Sequence, residues 1–151
     1  MTFAAVHQIV AGFAAGDAIS LEAVALRDVC RAQGMASEIF APMENVAADG
    51  KAQVRPLEEY RPAAAELLIY HYSIQSRATE AFRRATARKA MIYHNITPAE
   101  FFRGFDERVV RQLEEGRREL GAVAALADAV WADSAYNAAE VAALGAKNVK
   151  V

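Results

Sequence analysis

Short apolar runs alternate with longer amphipathic stretches along the chain, and the two periods predict strands followed by helices. Residues 6–10 are the first apolar run; a loop through Gly12, Gly16 and Asp17 follows, then a helix over about 18–33. Its apolar stripe is Ile19, Ala23, Leu26 and Cys30, with Asp28 and Arg31 opposite and Gly34 as a left-handed stop. Leu21 and Val24 lie off the stripe, which leaves the outer face available for contact. A second short strand is predicted at 37–40. Between 41 and 62 the pattern dissolves at Pro42, Asp49-Gly50, Pro56 and Pro62, giving an extended loop with one short strand near 53–57.

Order returns at 66–72, an apolar run suited to a buried strand. A helix is predicted over about 76–86, with Arg83, Arg84, Arg88 and Lys89 clustered at its far end. Residues 90–93 form the next strand. Thr97-Pro98-Ala99-Glu100 reads as a helix start: threonine cap, proline in the first position, glutamate closing the box. A long helix spans about 107–125, its stripe formed by Val109, Leu113, Gly116, Leu120, Ala124 and Ala127. Glu114–Arg118 and Arg111–Glu115 are spaced to pair on its wet face. Phe101, Phe102 and Phe105 read as core anchors. A strand at 129–132, a Ser134 cap, a helix at 136–144 stopped by Gly145, and an opening strand at 148–151 complete the pattern.

Strands alternating with helices at these intervals predict an α/β, Rossmann-like fold: a parallel sheet with right-handed crossovers and helices on both faces. The 151 residues suit one domain, 54% hydrophobic and 24% charged, an ordinary globular composition. A net charge of −2 provides no drive towards nucleic acid or anionic lipid. The single cysteine, Cys30, has no internal partner, which predicts a reduced, cytoplasmic setting. No signal peptide and no membrane-length apolar stretch are evident. Only the Arg83–Lys89 cluster would suit the inner face of a membrane, and a solvated helix end explains it better.

In a parallel sheet the ligand site lies beyond the carboxyl ends of the strands. The residues following each strand therefore define a candidate rim: Gly16 and Asp17; His71, Ser73 and Ser76; His94, Asn95 and Thr97; Asp133, Ser134 and Asn137. The strand–turn–helix at the start places backbone N–H groups where an anion or a polyhydroxylated ligand could sit. Structural roles compete with each: Asp17, Thr97 and Ser134 also read as helix caps, His71 as a packed core group, and His7 as structural. The turn lacks the dinucleotide glycine spacing, and no nucleophile elbow is present, so an oxidoreductase or a hydrolase is disfavoured. Three widely separated histidines form no recognisable metal-ligand spacing, so no metal is expected.

Several strings occur in a distinctive order: Val6-His7-Gln8, Gly16-Asp17-Ala18-Ile19-Ser20, Ile69-Tyr70-His71-Tyr72-Ser73, Ile92-Tyr93-His94-Asn95-Ile96-Thr97-Pro98, then Ala132-Asp133-Ser134 and Asn137. Together they resemble the N-terminal half of the family 4, or group 1, retaining glycosyltransferases of GT-B fold, over nearly the whole chain. The resemblance implies an acceptor-side domain facing a second, donor-binding domain, a nucleotide-sugar donor, a carbohydrate or lipid-linked acceptor, and no metal cofactor. It implies that Gly16 approaches the donor diphosphate and that His94 contacts the transferred sugar near the reaction centre. Asp17, His71, Ser73, Asn95, Thr97, Ser134 and Asn137 would bind substrate. Ala15 and Asp17 flank Gly16 where many relatives carry a second glycine.

The donor-binding domain with its characteristic glutamate pair is absent, as is the final helix that crosses back onto the first domain. The expectation is a truncated piece with little activity of its own, whose uncovered apolar surface drives self-association. The alternative is a stand-alone binding or regulatory module for a small polar ligand or a partner protein.

Overall fold

The computed structural model describes residues 3–63 and 65–151. Among them, β1 (Ala5–Val10), β2 (Ile39–Ala41), β3 (Arg55–Pro56), β4 (Glu66–Tyr72), β5 (Arg88–Tyr93), β6 (Ala129–Ala132) and β7 (Val149–Lys150) form one sheet. The strand order is 3-2-1-4-5-6-7 and every pairing is parallel. Four helices flank it: α1 (Ala18–Ala32), α2 (Ala78–Arg84), α3 (Glu107–Ala124) and α4 (Ala135–Ala143). The fold is α/β and Rossmann-like, as the alternation of periods predicts.

Alternation along the strands divides the labour between the two faces. Ile9, Leu68, Tyr70, Tyr72, Met91, Tyr93 and Val130 point towards α2, α3 and α4, where they pack with Phe82, Leu113, Leu120 and Val141. Val6, Val10, Ile39, Ile69, Ala90 and Ile92 point the other way and meet α1 through Ala23 and Cys30. Three helices therefore cover one face and a single helix serves the other. Beyond α1, Trp131 on β6 remains 36% exposed.

The 41–62 segment is less extended than its prolines suggest. It winds through 3-10 turns at Met43–Asn45, Ala48–Gln53 and Leu57–Glu59, with the two-residue β3 between the last two. Arg27 fixes this segment to α1. Its guanidinium donates to the Gln53 carbonyl at 3.1 Å and to the Gln53 side chain at 3.0 Å. Consequently the buried side of α1 holds Ser20, Ala23, Arg27 and Cys30, whereas Ile19 and Leu26 of the expected stripe are only half-buried.

Other expectations require correction. The second strand is Ile39–Ala41 rather than 37–40, and α2 is shorter than the predicted 76–86. Thr97-Pro98-Ala99-Glu100 opens only a 3-10 turn, Ala99–Phe102, with no side-chain cap. The long helix is instead capped by Asp106, whose carboxylate accepts from Arg108 N at 3.0 Å and Val109 N at 3.1 Å. Val110 and Val123 are buried on α3, while Val109 is half-buried. Phe101 and Phe105 are exposed, and of the three phenylalanines Phe102 alone packs on the core. On the wet face, Glu114 pairs with Arg103 at 2.8 Å and Glu115 with Arg118 at 3.9 Å, instead of the expected partners four residues along. A flexible exposed side chain takes whichever partner the tertiary fold brings nearest.

Among the described residues, no helix is long and apolar enough to cross a membrane.

Candidate functional site

Strand register delivers the central polar groups to one place. Gln8 pairs with Ile69, His71 with Ile92, and Tyr93 with Ala132. Because side chains alternate, Gln8, His71, His94 and Asp133 fall on the same face, each histidine further along its strand direction than the group before it and Asp133 level with His94. They join into one hydrogen-bonded line across β1, β4, β5 and β6. The distances are 2.7 Å from Gln8 Oε1 to His71 Nε2, 3.0 Å from His71 Nδ1 to His94 Nε2, and 3.0 Å from His94 Nδ1 to Asp133 Oδ2. Glu22, reaching over from α1, brings a carboxylate oxygen 3.7 Å from His94 Nδ1.

Burial governs the chemistry of this line. His71 is 1% exposed, and desolvation, followed by the neighbouring His94, pushes its imidazole down to about 3. It is therefore neutral at ordinary pH. Gln8 is fully buried, and its amide nitrogen donates to the Ala23 carbonyl at 2.9 Å, which ties α1 to the sheet beneath it. The His94 side chain is 5% exposed, while those of Glu22 and Asp133 are 48% and 46% exposed. The line thus runs from a dry end at Gln8 to a wet end at Asp133.

Two adjoining cavities open at the carboxyl border of the sheet. The first, about 360 Å³, lies between the loop after β1 (Gly12, Ala14, Asp17) and the loop after β4 (Ser73, Gln75, Ser76), with His71 in its wall. The second, about 280 Å³, is walled by Ser73, His94, Asn95 and Thr97. Ile19 and Ile74 belong to both. Close packing fixes the loops around them. A Cβ on Gly12 would meet the Asn45 carbonyl oxygen at 2.8 Å, and one on Gly116 would meet the Gln75 backbone nitrogen at 2.9 Å. Asn95 adopts a φ of 70°, and its side-chain oxygen accepts from Ile96 N at 2.8 Å, turning the chain sharply after His94. Arg117 of α3 then grips the Ile96 carbonyl and pairs with Glu140 of α4.

The structure thus brings Asp17, His71, Ser73, Ser76, His94, Asn95 and Thr97 to the two cavities, and leaves Gly16, Asp133, Ser134 and Asn137 outside them, Asp133 being held at the wet end of the histidine line. Gly16 lines neither; its φ of 83° makes it a turn residue with open space around it. Ser134 caps α4 by accepting from Asn137 N at 3.1 Å, and Asn137 is buried, so both lie off these walls. Asp17 has a second occupation. Its carboxylate accepts from Ser20 N and from the Ser20 hydroxyl, both at 2.9 Å, so the protein's own anion already sits at the start of α1. His7 is structural: its Nδ1 accepts from Glu38 N at 3.1 Å and its ring packs edge-on against Phe40.

Two members of the cluster, Gln8 and Glu22, are not among the predicted rim residues, whereas Asp133 is. Gln8 had a signal, since a polar residue stood inside an otherwise apolar strand. Glu22 had none, because its relation to His94 is created by the docking of α1. The nearest nitrogen and oxygen atoms of Glu22, His71 and His94 all lie within 4.8 Å of one another, a grouping that intervals along the chain conceal.

No protein-family model matches the chain, and no curated protein matches it significantly.

Proposed function

We propose that the chain is the N-terminal, acceptor-side half of a retaining glycosyltransferase that uses a nucleotide-sugar donor. The observation that carries this reading is the convergence of hydroxyl, amide and imidazole groups from successive parallel strands on two adjoining cavities. The ordered strings that resemble group 1 glycosyltransferases supply those same groups. Ser73, Asn95 and Thr97 offer the short polar side chains that suit a polyhydroxylated ligand. His94 would meet the transferred sugar at the reaction centre. Both of its ring nitrogens are bonded within the cluster, so that contact requires one to be released. Asp133, half-exposed, is the partner free to swing aside.

In this reading the second domain supplies the nucleotide site, and a preorganised cleft between the two stabilises the leaving diphosphate. The test is a transfer assay on the polypeptide carrying both domains. His94→Ala should lower turnover about 100-fold or more while the far-ultraviolet spectrum stays unchanged. Turnover near that of the unmodified enzyme would overturn the assignment. A reading frame that stops at Val151, with a small polar ligand bound by this chain unaided, would favour a stand-alone binding module.

A further inference from the structure

Two buried histidines meet ring to ring on the α1 face, and their flanking partners determine which nitrogens carry protons. The Gln8 amide nitrogen donates to the Ala23 carbonyl, which presents Gln8 Oε1 to His71 Nε2 as an acceptor. His71 Nε2 therefore carries the proton, and Nδ1 of the neutral ring is a bare lone pair. At the other end the Asp133 carboxylate accepts, so His94 Nδ1 carries a proton and Nε2 of a neutral ring is also bare. These two lone pairs face each other across 3.0 Å, and Glu22 stands beside them: one ligand atom from each of Glu22, His71 and His94 lies within 4.8 Å of the others, with the Glu22 carboxylate 3.7 Å from His94 Nδ1. Such an arrangement needs a cation at its centre.

The geometry points to a binding site for one divalent transition-metal ion, held by His71 Nδ1, His94 Nε2 and Glu22, with Gln8 and Asp133 fixing the two rings from behind. Nitrogens about 2.1 Å from a shared ion stand about 3.0 Å apart at a right angle and about 3.4 Å apart at a tetrahedral one. The observed 3.0 Å matches the first, and a shift of a few tenths of an ångström reaches the second. A ligating histidine whose far N–H donates to a carboxylate or an amide oxygen is the usual supporting arrangement around a metal, and both rings have it here. Two imidazoles and one carboxylate suit zinc, cobalt, nickel or iron better than magnesium or calcium. Entry is open: Glu22 and Asp133 line an apolar groove with Leu26, Val29, Ile92 and Trp131 between α1 and β6. The site shares His71 and His94, which wall the two cavities, with the glycosyltransferase reading, but metal binding is read without a transfer assay, so failure of one reading is distinguishable from failure of the other.

The test is titration of the metal-free chain with cobalt(II), followed by displacement with zinc(II). One cobalt ion should bind per chain with the visible d–d absorption of imidazole ligation. Zinc should displace it and raise the melting temperature. Asp133→Asn should weaken binding about 10- to 100-fold, and Glu22→Ala at least about 10-fold. Both positions are half-exposed, so these variants should keep the unmodified circular dichroism spectrum. Absence of one-to-one cobalt binding would overturn the site, leaving a proton as the cation between the rings. Affinity unchanged in both variants would also overturn it, by placing the ion elsewhere.

Discussion

The two faces of the sheet are built from the same alternating strands yet are finished differently. Under α2, α3 and α4 the large side chains are apolar or tyrosine, and each buried hydroxyl bonds within the protein. Tyr72 donates to the Gly116 carbonyl at 2.9 Å, Tyr93 donates to Glu140 at 2.6 Å, and Tyr70 meets Thr79 at 3.1 Å. Under α1 the carboxyl half of the face carries Gln8, His71 and His94 instead, and the cover stops short of Trp131. A face closed by three helices spends its polar atoms on holding those helices. The face with one helix keeps an ordered polar line that reaches solvent at one end. Stability and chemistry are therefore separable by face.

The largest expected effect lies on the closed face. Phe82→Ala removes a fully buried ring from the main cluster and should cost about 3–5 kcal/mol by urea unfolding. Trp131→Ala, on the open face, should cost much less because the indole is already 36% exposed. Similar losses would erase the distinction between the faces.

A pH series probes the polar line directly in the metal-free chain. Burial holds the His71 imidazole at about 3, against 6.5 for the free side chain. As pH falls below 6.5 the unfolded chain takes up a proton that the folded one refuses, so stability is complete above 6.5 and declines towards 3. The slope is about 1.4 kcal/mol per pH unit, or about 2–3 kcal/mol between roughly pH 6.5 and 4.5. Glu22, His94 and Asp133 belong to the same cluster in both proteins, so the comparison is with His71→Gln, in which the slope should flatten. Equal slopes in the two proteins would show that some other group causes the loss.

Single substitutions at the seams come next. Gly116→Ala forces a methyl group to 2.9 Å from the Gln75 backbone nitrogen and should cost about 1–3 kcal/mol. It should also shift the amide resonances of Ile74 and Gln75 at the cavity wall. Gln8→Leu leaves the His71 Nε2 proton and the Ala23 carbonyl without their partner, with a loss of about 1–3 kcal/mol. A Gln8→Leu protein as stable as the original would mean that the line contributes nothing to holding α1.

What could be read from the chain and what could not divides along a physical boundary. The central strands and all four helices follow from periodicity, which is local. The rim containing His71 and His94 follows from parallel order. By contrast, Arg27 is buried because Gln53 waits for its guanidinium, a contact set by how the 3-10 segment folds back. Glu22 meets His94 only because α1 docks at that height. Gly16 belongs to the expected rim by its position in a turn, but the turn carries it clear of both cavities while Asp17 closes the helix start.

The smallest prediction bears on local signals alone, by setting two cap candidates against each other. Thr97 has the sequence of a capping box but no side-chain cap bond, since the chain after Pro98 makes only one 3-10 turn. Asp106 has no box, yet its carboxylate accepts from two backbone N–H groups at the start of α3. Asp106→Ala should therefore cost about 1 kcal/mol, whereas Thr97→Ala should stay within about 0.5 kcal/mol. Both can be measured by urea unfolding at neutral pH. The reverse order would mean that α3 begins upstream of Glu107, and the loop carrying Asn95 and Thr97 past His94 would then be a helical turn, not the wall of a cavity.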